Sequence, residues 1–230
     1  METLFNPITL FAVSILVLVY SSVLHEIAHG YIAYRFGDPT AKLLGRLTLN
    51  PIKHIDPYMS VLLPLLLIVV GSPVIFGGAK PVPVDPFNLR DGRKDLALVS
   101  LAGPLTNLLL VVAGTIIFKL FFPEYIPYFG NLIYHAFHIL TIKDLLAFIF
   151  SQVVFLNLIL AIFNLIPIPP LDGSKVFALL LPGREAAAYM SLGNIGMLIL
   201  MVLLFFPFGG FSLMGIVSNL ITSALSILGL

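Results

Sequence analysis

The chain has 230 residues, of which 59% are hydrophobic and 10% charged, with a mean hydropathy of +1.08 and a formal net charge of +1. That balance excludes an ordinary soluble domain and points to a polytopic membrane protein, while the near-neutral charge, without a Lys/Arg run or basic tail, gives no hint of nucleic acid. There is no cysteine, which excludes disulfides and thiolate metal sites, so any zinc must be held by histidine and carboxylate or amide oxygen.

The first predicted element is a membrane-spanning helix over residues 8–36. It starts after Pro7 and stops at Gly37-Asp38-Pro39, where a helix should end. It carries no charge between Glu2 and Glu26. It lacks the basic start and Ala-x-Ala exit of a removable signal and runs directly into a polar motif, so it stays in the mature protein. That motif is His25-Glu26-Ile27-Ala28-His29. On a helix, residues four apart project from one face. His25 and His29 can therefore grip one ion, with Glu26 beside them to take a proton from water. Imidazole suits zinc, and two protein ligands leave room for a third and for water. The bland alternative is a chance pair of packed histidines. Ionisable groups within a bilayer are expensive, however, and are functional by default.

Residues 41–50 mix apolar and polar side chains and predict a short β-ribbon, and residues 77–84 read as an edge strand. His54 lies between them, where such a histidine is usually solvated or caps a turn, and it is left out of the ligand set. Residues 58–76 are apolar enough to span but are interrupted by Pro64, Gly71 and Pro73. If they span, the helices ending at His29 and before Asp172 finish on opposite sides of the membrane, and no single ion touches both. The expectation is therefore a re-entrant segment, permitted at membrane depth where it is buried in protein or lines a cavity.

A second span is predicted over 93–122, with Asp91 as its N-cap and Pro123 beyond its end. A third covers 143–166, opened by Thr141 and Asp144 in capping-box spacing and closed by Pro167. Two more, 186–206 and 211–228, form a hairpin around Pro207-Phe208-Gly209-Gly210. The fold class is thus an all-α polytopic membrane protein, one domain over 1–230, with about five transmembrane helices, a re-entrant segment and a short β-ribbon near the active site. After the third span, Asn164 leads through three prolines to Leu171-Asp172-Gly173. Prolines end the helix and leave an extended stretch from which Asp172 can swing in as a third ligand. Alone, Asp172-Gly173 would be read as a turn. With this topology ten of the twelve Lys and Arg residues lie in loops at the metal end, and Lys119 and Lys143 lie opposite. The positive-inside rule then puts the metal end at the cytoplasm and the N-terminus outside. His135 and His138 fall on the outer side, too far away to share the ion.

These residues resemble the site-2 protease family of intramembrane zinc metalloproteases. The resemblance rests on His25-Glu26-Ile27-Ala28-His29, on Gly103-Pro104-Leu105-Thr106-Asn107, and on Asn164 with Leu171-Asp172-Gly173. It implies that His25, His29 and Asp172 bind one zinc ion and that Glu26 is the general base. The substrates it implies are membrane-spanning segments of other proteins, cut within or near the bilayer. Asn107 and Asn164 match polar positions near the family's active site, where an amide could hold substrate backbone or an oxyanion. Interhelical hydrogen bonding explains both equally well. The edge strand would pair with extended substrate, with its prolines leaving one side to do so. Neither a peptide-binding PDZ module nor a nucleotide-sensing CBS module fits within the chain, which reads as a minimal catalytic core of unknown oligomeric state. The rival class is a membrane zinc-binding protein or transporter without proteolysis. Glu26, which has no necessary ligand role, disfavours it.

Overall fold

The uncharged run near the N-terminus forms one continuous helix, α1 (Pro7–Arg35), in the computed structural model of the chain, which describes residues 7–62, 66, 79–133, 141–206, 209–210 and 212–230. Pro7 sits at the first helical position, where an N–H would have no acceptor, and Arg35 lies in the last turn, where its charge suits the helix dipole. Two more long apolar helices follow, α2 (Gly92–Phe121) and α3 (Ile142–Asn164). At about 1.5 Å per residue, each of the three exceeds the roughly 30 Å of a bilayer core. The expected capping box opens α3: the Thr141 hydroxyl accepts the Asp144 N–H at 3.1 Å, and the Asp144 carboxylate accepts the Thr141 N–H at 2.8 Å.

Four shorter helices complete the C-terminal part: α4 (Asp172–Leu180), α5 (Gly183–Met190), α6 (Gly193–Phe205) and α7 (Leu213–Leu228). The expected fourth span over 186–206 is not straight, because α5 and α6 meet at a bend of 70°. The helix α5 opens on exposed Arg184 and Glu185, charges that hydrocarbon does not accept. The apolar run left to α6 is 13 residues, about 20 Å of rise. The fifth expected span corresponds to the 16 residues of α7. Among the described residues, three helices are long and apolar enough to cross a membrane, or four if the bent pair counts as one span.

The expected β-ribbon over 41–50 is absent: Thr40–Leu43 is a helical turn, turn and bend residues follow it, and no described residue lies in a strand. Local capping decides this. The Asp38 carboxylate accepts both the N–H and the hydroxyl of Thr40, which starts a helical turn after Pro39. Gly45, at φ 63°, then closes it as the Arg46 N–H reaches the Ala41 carbonyl. Of the expected re-entrant segment over 58–76, residues 58–62 belong to a π-helical turn (Pro57–Leu62). The remainder, Leu66 apart, lies outside the described residues, as do His135 and His138.

Helix α2 packs against α1, α3 and α4. Between lipid-exposed helices the hydrophobic effect supplies little drive, so close approach and buried polar contacts matter more. Small residues make that approach possible, and Ala33, Ala97, Ala147 and Ala161 are all buried. One end of the bundle is filled by Phe118, Phe122, Tyr125, Phe129 and Phe148. At the other end the Arg90 N–H reaches the Phe36 carbonyl at 3.3 Å. The end of α1 and the start of α2 therefore share one end of the bundle, and the connection between them leaves and returns on that side.

Candidate metal centre

Three ligand-type atoms from distant parts of the chain meet at that end. His25 Nε2 and His29 Nε2 are 3.0 Å apart, and Asp172 Oδ2 lies 3.2 Å from the first and 3.1 Å from the second. All three residues are buried, and they are the cluster of metal-ligand type found among the described residues. Helix α1 supplies both imidazoles from successive turns of one face. The prolines after α3 end that helix and bring Asp172 in as the first residue of α4.

The hydrogen bonds behind the rings fix what the front atoms offer. His25 Nδ1 lies 2.5 Å from Asn107 Oδ1, and His29 Nδ1 lies 2.7 Å from the Val99 carbonyl. Both partners accept, so each Nδ1 is the protonated nitrogen and each Nε2 of a neutral ring carries a lone pair. Three lone-pair atoms then face one another at 3.0–3.2 Å, and they repel unless a cation lies among them. A tetrahedral zinc ion with bonds of about 2.0–2.1 Å spaces its ligands about 3.3 Å apart. The residues present therefore fit zinc with a small opening of the triangle.

Asn107 is held in turn. Its Nδ2 donates to Asn157 Oδ1 at 2.7 Å, and Asn157 Nδ2 donates to Ser21 Oγ and to the Val153 carbonyl, both at 2.8 Å. Asn107 and Asn157 are fully buried. This chain of contacts ties α1, α2 and α3 together and determines which way the Asn107 amide faces. Gly103 lets the rings seat, since a Cβ there would meet His29 Nε2 at 2.4 Å and His25 Nε2 at 2.6 Å. Lys175 Nζ donates to Asp172 Oδ1 at 3.1 Å, which occupies one carboxylate oxygen and leaves Oδ2 to the triangle. Burial acts to raise the Asp172 carboxyl. The charge of the Lys175 ammonium, 3.1 Å from Oδ1, opposes this and favours the carboxylate form.

Glu26 is half-buried beside this triangle on α1, and its Oε2 accepts the Val82 N–H at 2.6 Å. Asn164, also half-buried, donates to the Leu160 carbonyl of its own helix at 2.9 Å. His54 is buried with Nε2 2.9 Å from the Thr48 carbonyl and is no part of the cluster. Residues 79–84, the described portion of the expected edge strand, have no regular secondary structure and pair with no strand among the described residues.

The site is assembled from α1, α2 and the start of α4, and the profile of peptidase family M50 matches residues 11–207 across all of them. The chain belongs to peptidase family M50. This is the site-2 protease family to which the motifs pointed. Among relatives, "Putative zinc metalloprotease YwhC" of Bacillus subtilis is 37% identical over 216 residues, covering 91% of this chain and 88% of the relative. "Putative zinc metalloprotease Rip2" of Mycolicibacterium smegmatis is 31% identical over 206 residues, covering 88% and 71%. "Putative zinc metalloprotease MJ0611" of Methanocaldococcus jannaschii is 28% identical over 170 residues, covering 74% and 71%. No solved structure gives a significant match. In this M50 chain the residues missed by sequence reasoning are Ser21, Val99, Asn157 and Lys175. Ser21 and Asn157 carried a usable signal, because polar side chains inside an apolar span call for a partner.

Proposed function

We propose that this M50 chain hydrolyses peptide bonds in or near transmembrane segments of membrane proteins, with one zinc ion held by His25, His29 and Asp172 and with Glu26 as general base. Membership of the family makes the chain an intramembrane zinc metalloprotease. The observation that carries the assignment of residues is the triangle of His25 Nε2, His29 Nε2 and Asp172 Oδ2, with edges of 3.0–3.2 Å.

A zinc ion held there supplies the Lewis acidity that peptide hydrolysis requires. Asn107 and the Val99 carbonyl keep the imidazole lone pairs pointed into the site, and Lys175 keeps one oxygen of Asp172 out of it. Glu26 takes a proton from the attacking water, whose oxygen bonds to the scissile carbonyl carbon. Glu26 then returns the proton to the amide nitrogen as the C–N bond breaks. In this reading Asn107 orients His25, and Asn164 remains a candidate contact for substrate backbone.

The membrane arrangement follows from charge. Ten Lys and Arg residues lie in the connections at the metal end or in the helices that border them, so in this reading that end faces the cytoplasm and the N-terminus of α1 faces outward in a multi-pass cell-membrane protein. About seventeen residues of α1 precede His25, roughly 26 Å of rise, which sets the site near the cytoplasmic interface where water arrives. Residues 58–76 would enter and leave on that same side.

Chelation tests the assignment. Stripping zinc from purified protein should abolish cleavage of a single-span reporter, and one equivalent of zinc should restore it. The Asp172→Ala variant should hold less than about a tenth of an equivalent and stay inactive after zinc is added. Full zinc content in Asp172→Ala would remove Asp172 from the ligand set.

A further inference from the structure

The Val82 N–H that Glu26 accepts belongs to a strap, residues 79–84, which is anchored from its other side. Pro81 and Pro83 have no N–H, so Lys80, Val82 and Val84 are the amide donors between residues 80 and 84. The Lys80 N–H goes to the His54 carbonyl at 2.8 Å. Arg46 Nη2 donates to the Lys80 carbonyl at 2.8 Å and to the Pro81 carbonyl at 3.4 Å. Arg46 and Val82 are both buried, at 8% and 7% exposure. The Pro81 carbonyl and the Val82 N–H are opposite ends of one planar peptide group. That group lies with a guanidinium at its oxygen and a carboxylate at its hydrogen, so its dipole is aligned with both charges and each hydrogen bond strengthens the other.

We propose that Arg46 is a positioning residue for Glu26, acting through the Pro81–Val82 peptide; this rests on the reading of Glu26 as the general base. By holding the strap, Arg46 keeps the Val82 N–H on Glu26 Oε2, which fixes the carboxylate in one rotamer and leaves Oε1 to exchange the proton. Without that hold the Glu26 side chain samples several staggered rotamers, and a base misplaced by about 1 Å loses on the order of a hundredfold in rate. The role falls on Arg46 because its Nη2 carries two hydrogens and reaches two successive carbonyls from a buried position.

The test combines kinetics with amide hydrogen exchange on the full chain in detergent, comparing wild type with Arg46→Ala, Arg46→Lys and Glu26→Ala. A peptide covering the strap reports few amides because of its prolines. Arg46→Ala should lower kcat by about ten- to a hundredfold while KM and zinc content stay within about twofold, and Arg46→Lys should recover part of the loss. Exchange at Val82 should accelerate at least about tenfold in both Arg46→Ala and Glu26→Ala, because each removes one side of the same clamp. Val82 protection unchanged in Arg46→Ala would overturn the proposal, as would an unchanged kcat in a variant whose Val82 amide is deprotected. If Arg46→Ala fails to fold, Glu26→Ala reads the contact from its other end, and unchanged Val82 protection there is equally fatal. Exchange needs no substrate, so a wild type that cleaves nothing would sink the protease reading while leaving the clamp to be decided by Val82.

Discussion

His25 depends on Asn107 for its tautomer, and Asn107 depends on Asn157 for its orientation. Replacing Asn107 by leucine removes the acceptor behind His25 and strands the side-chain oxygen Asn157 Oδ1 in a buried site. Outer contacts of this kind are worth about 10–100-fold in metal affinity, so Asn107→Leu should weaken zinc binding by that factor in competition with a chelator. Wild-type affinity would show that the amide is only an interhelical contact. The cluster of His25, His29 and Asp172 was legible because four-residue spacing fixes a helical face, whereas Asp172, which alone reads as a turn, joined it only through the histidine pair and the family resemblance. The supporting residues were not legible: a single sequence shows that Ser21, Asn107 and Asn157 are polar within apolar spans, but it does not say which of them meet.

At the scale of elements, the loop after α1 is organised by Asp38, which is fully buried. Its carboxylate accepts from the Thr40 N–H and hydroxyl, from Asn88 Nδ2 at 3.1 Å and from the Asp85 N–H at 2.8 Å. Burial acts to raise the Asp38 carboxyl, but these donors outweigh it and set it below the ordinary carboxylate value. Because the folded value lies below the unfolded one, the stabilisation is complete above about pH 4 and is lost as pH falls through the folded value. Asp38→Ala should cost about 1–3 kcal/mol. In zinc-free protein, the melting temperature of the wild type should fall more steeply than that of Asp38→Asn as pH is lowered below about 4; parallel curves would remove Asp38 as the cause. The same residue explains why the ribbon expected over 41–50 is a helical turn: alternation in a short loop is a weaker signal than an Asp side chain that takes the N–H and hydroxyl of the Thr two residues on. The three long helices, by contrast, ended within two residues of the limits expected for the first three spans, because apolar runs bounded by Pro, Gly and capping residues leave little choice. The bend between α5 and α6 escaped because hydropathy averages over a window and does not see a turn inside an apolar stretch.

For the whole molecule, α1, α2 and α4 converge at one end, and in the proposed function that end is the reacting face. If that face is cytoplasmic, a cysteine introduced at exposed Phe87 in this cysteine-free chain should resist a membrane-impermeant thiol reagent in intact cells and react after lysis. Labelling in intact cells would invert the topology. The central claim is that this face carries out hydrolysis with Glu26 as base on one bound zinc ion. The measurement that tests it most directly is cleavage of a single-span reporter by purified wild type and Glu26→Gln, with zinc determined in both. The account predicts one zinc per chain in each and cleavage by wild type alone. Cleavage by Glu26→Gln at the wild-type rate would contradict it.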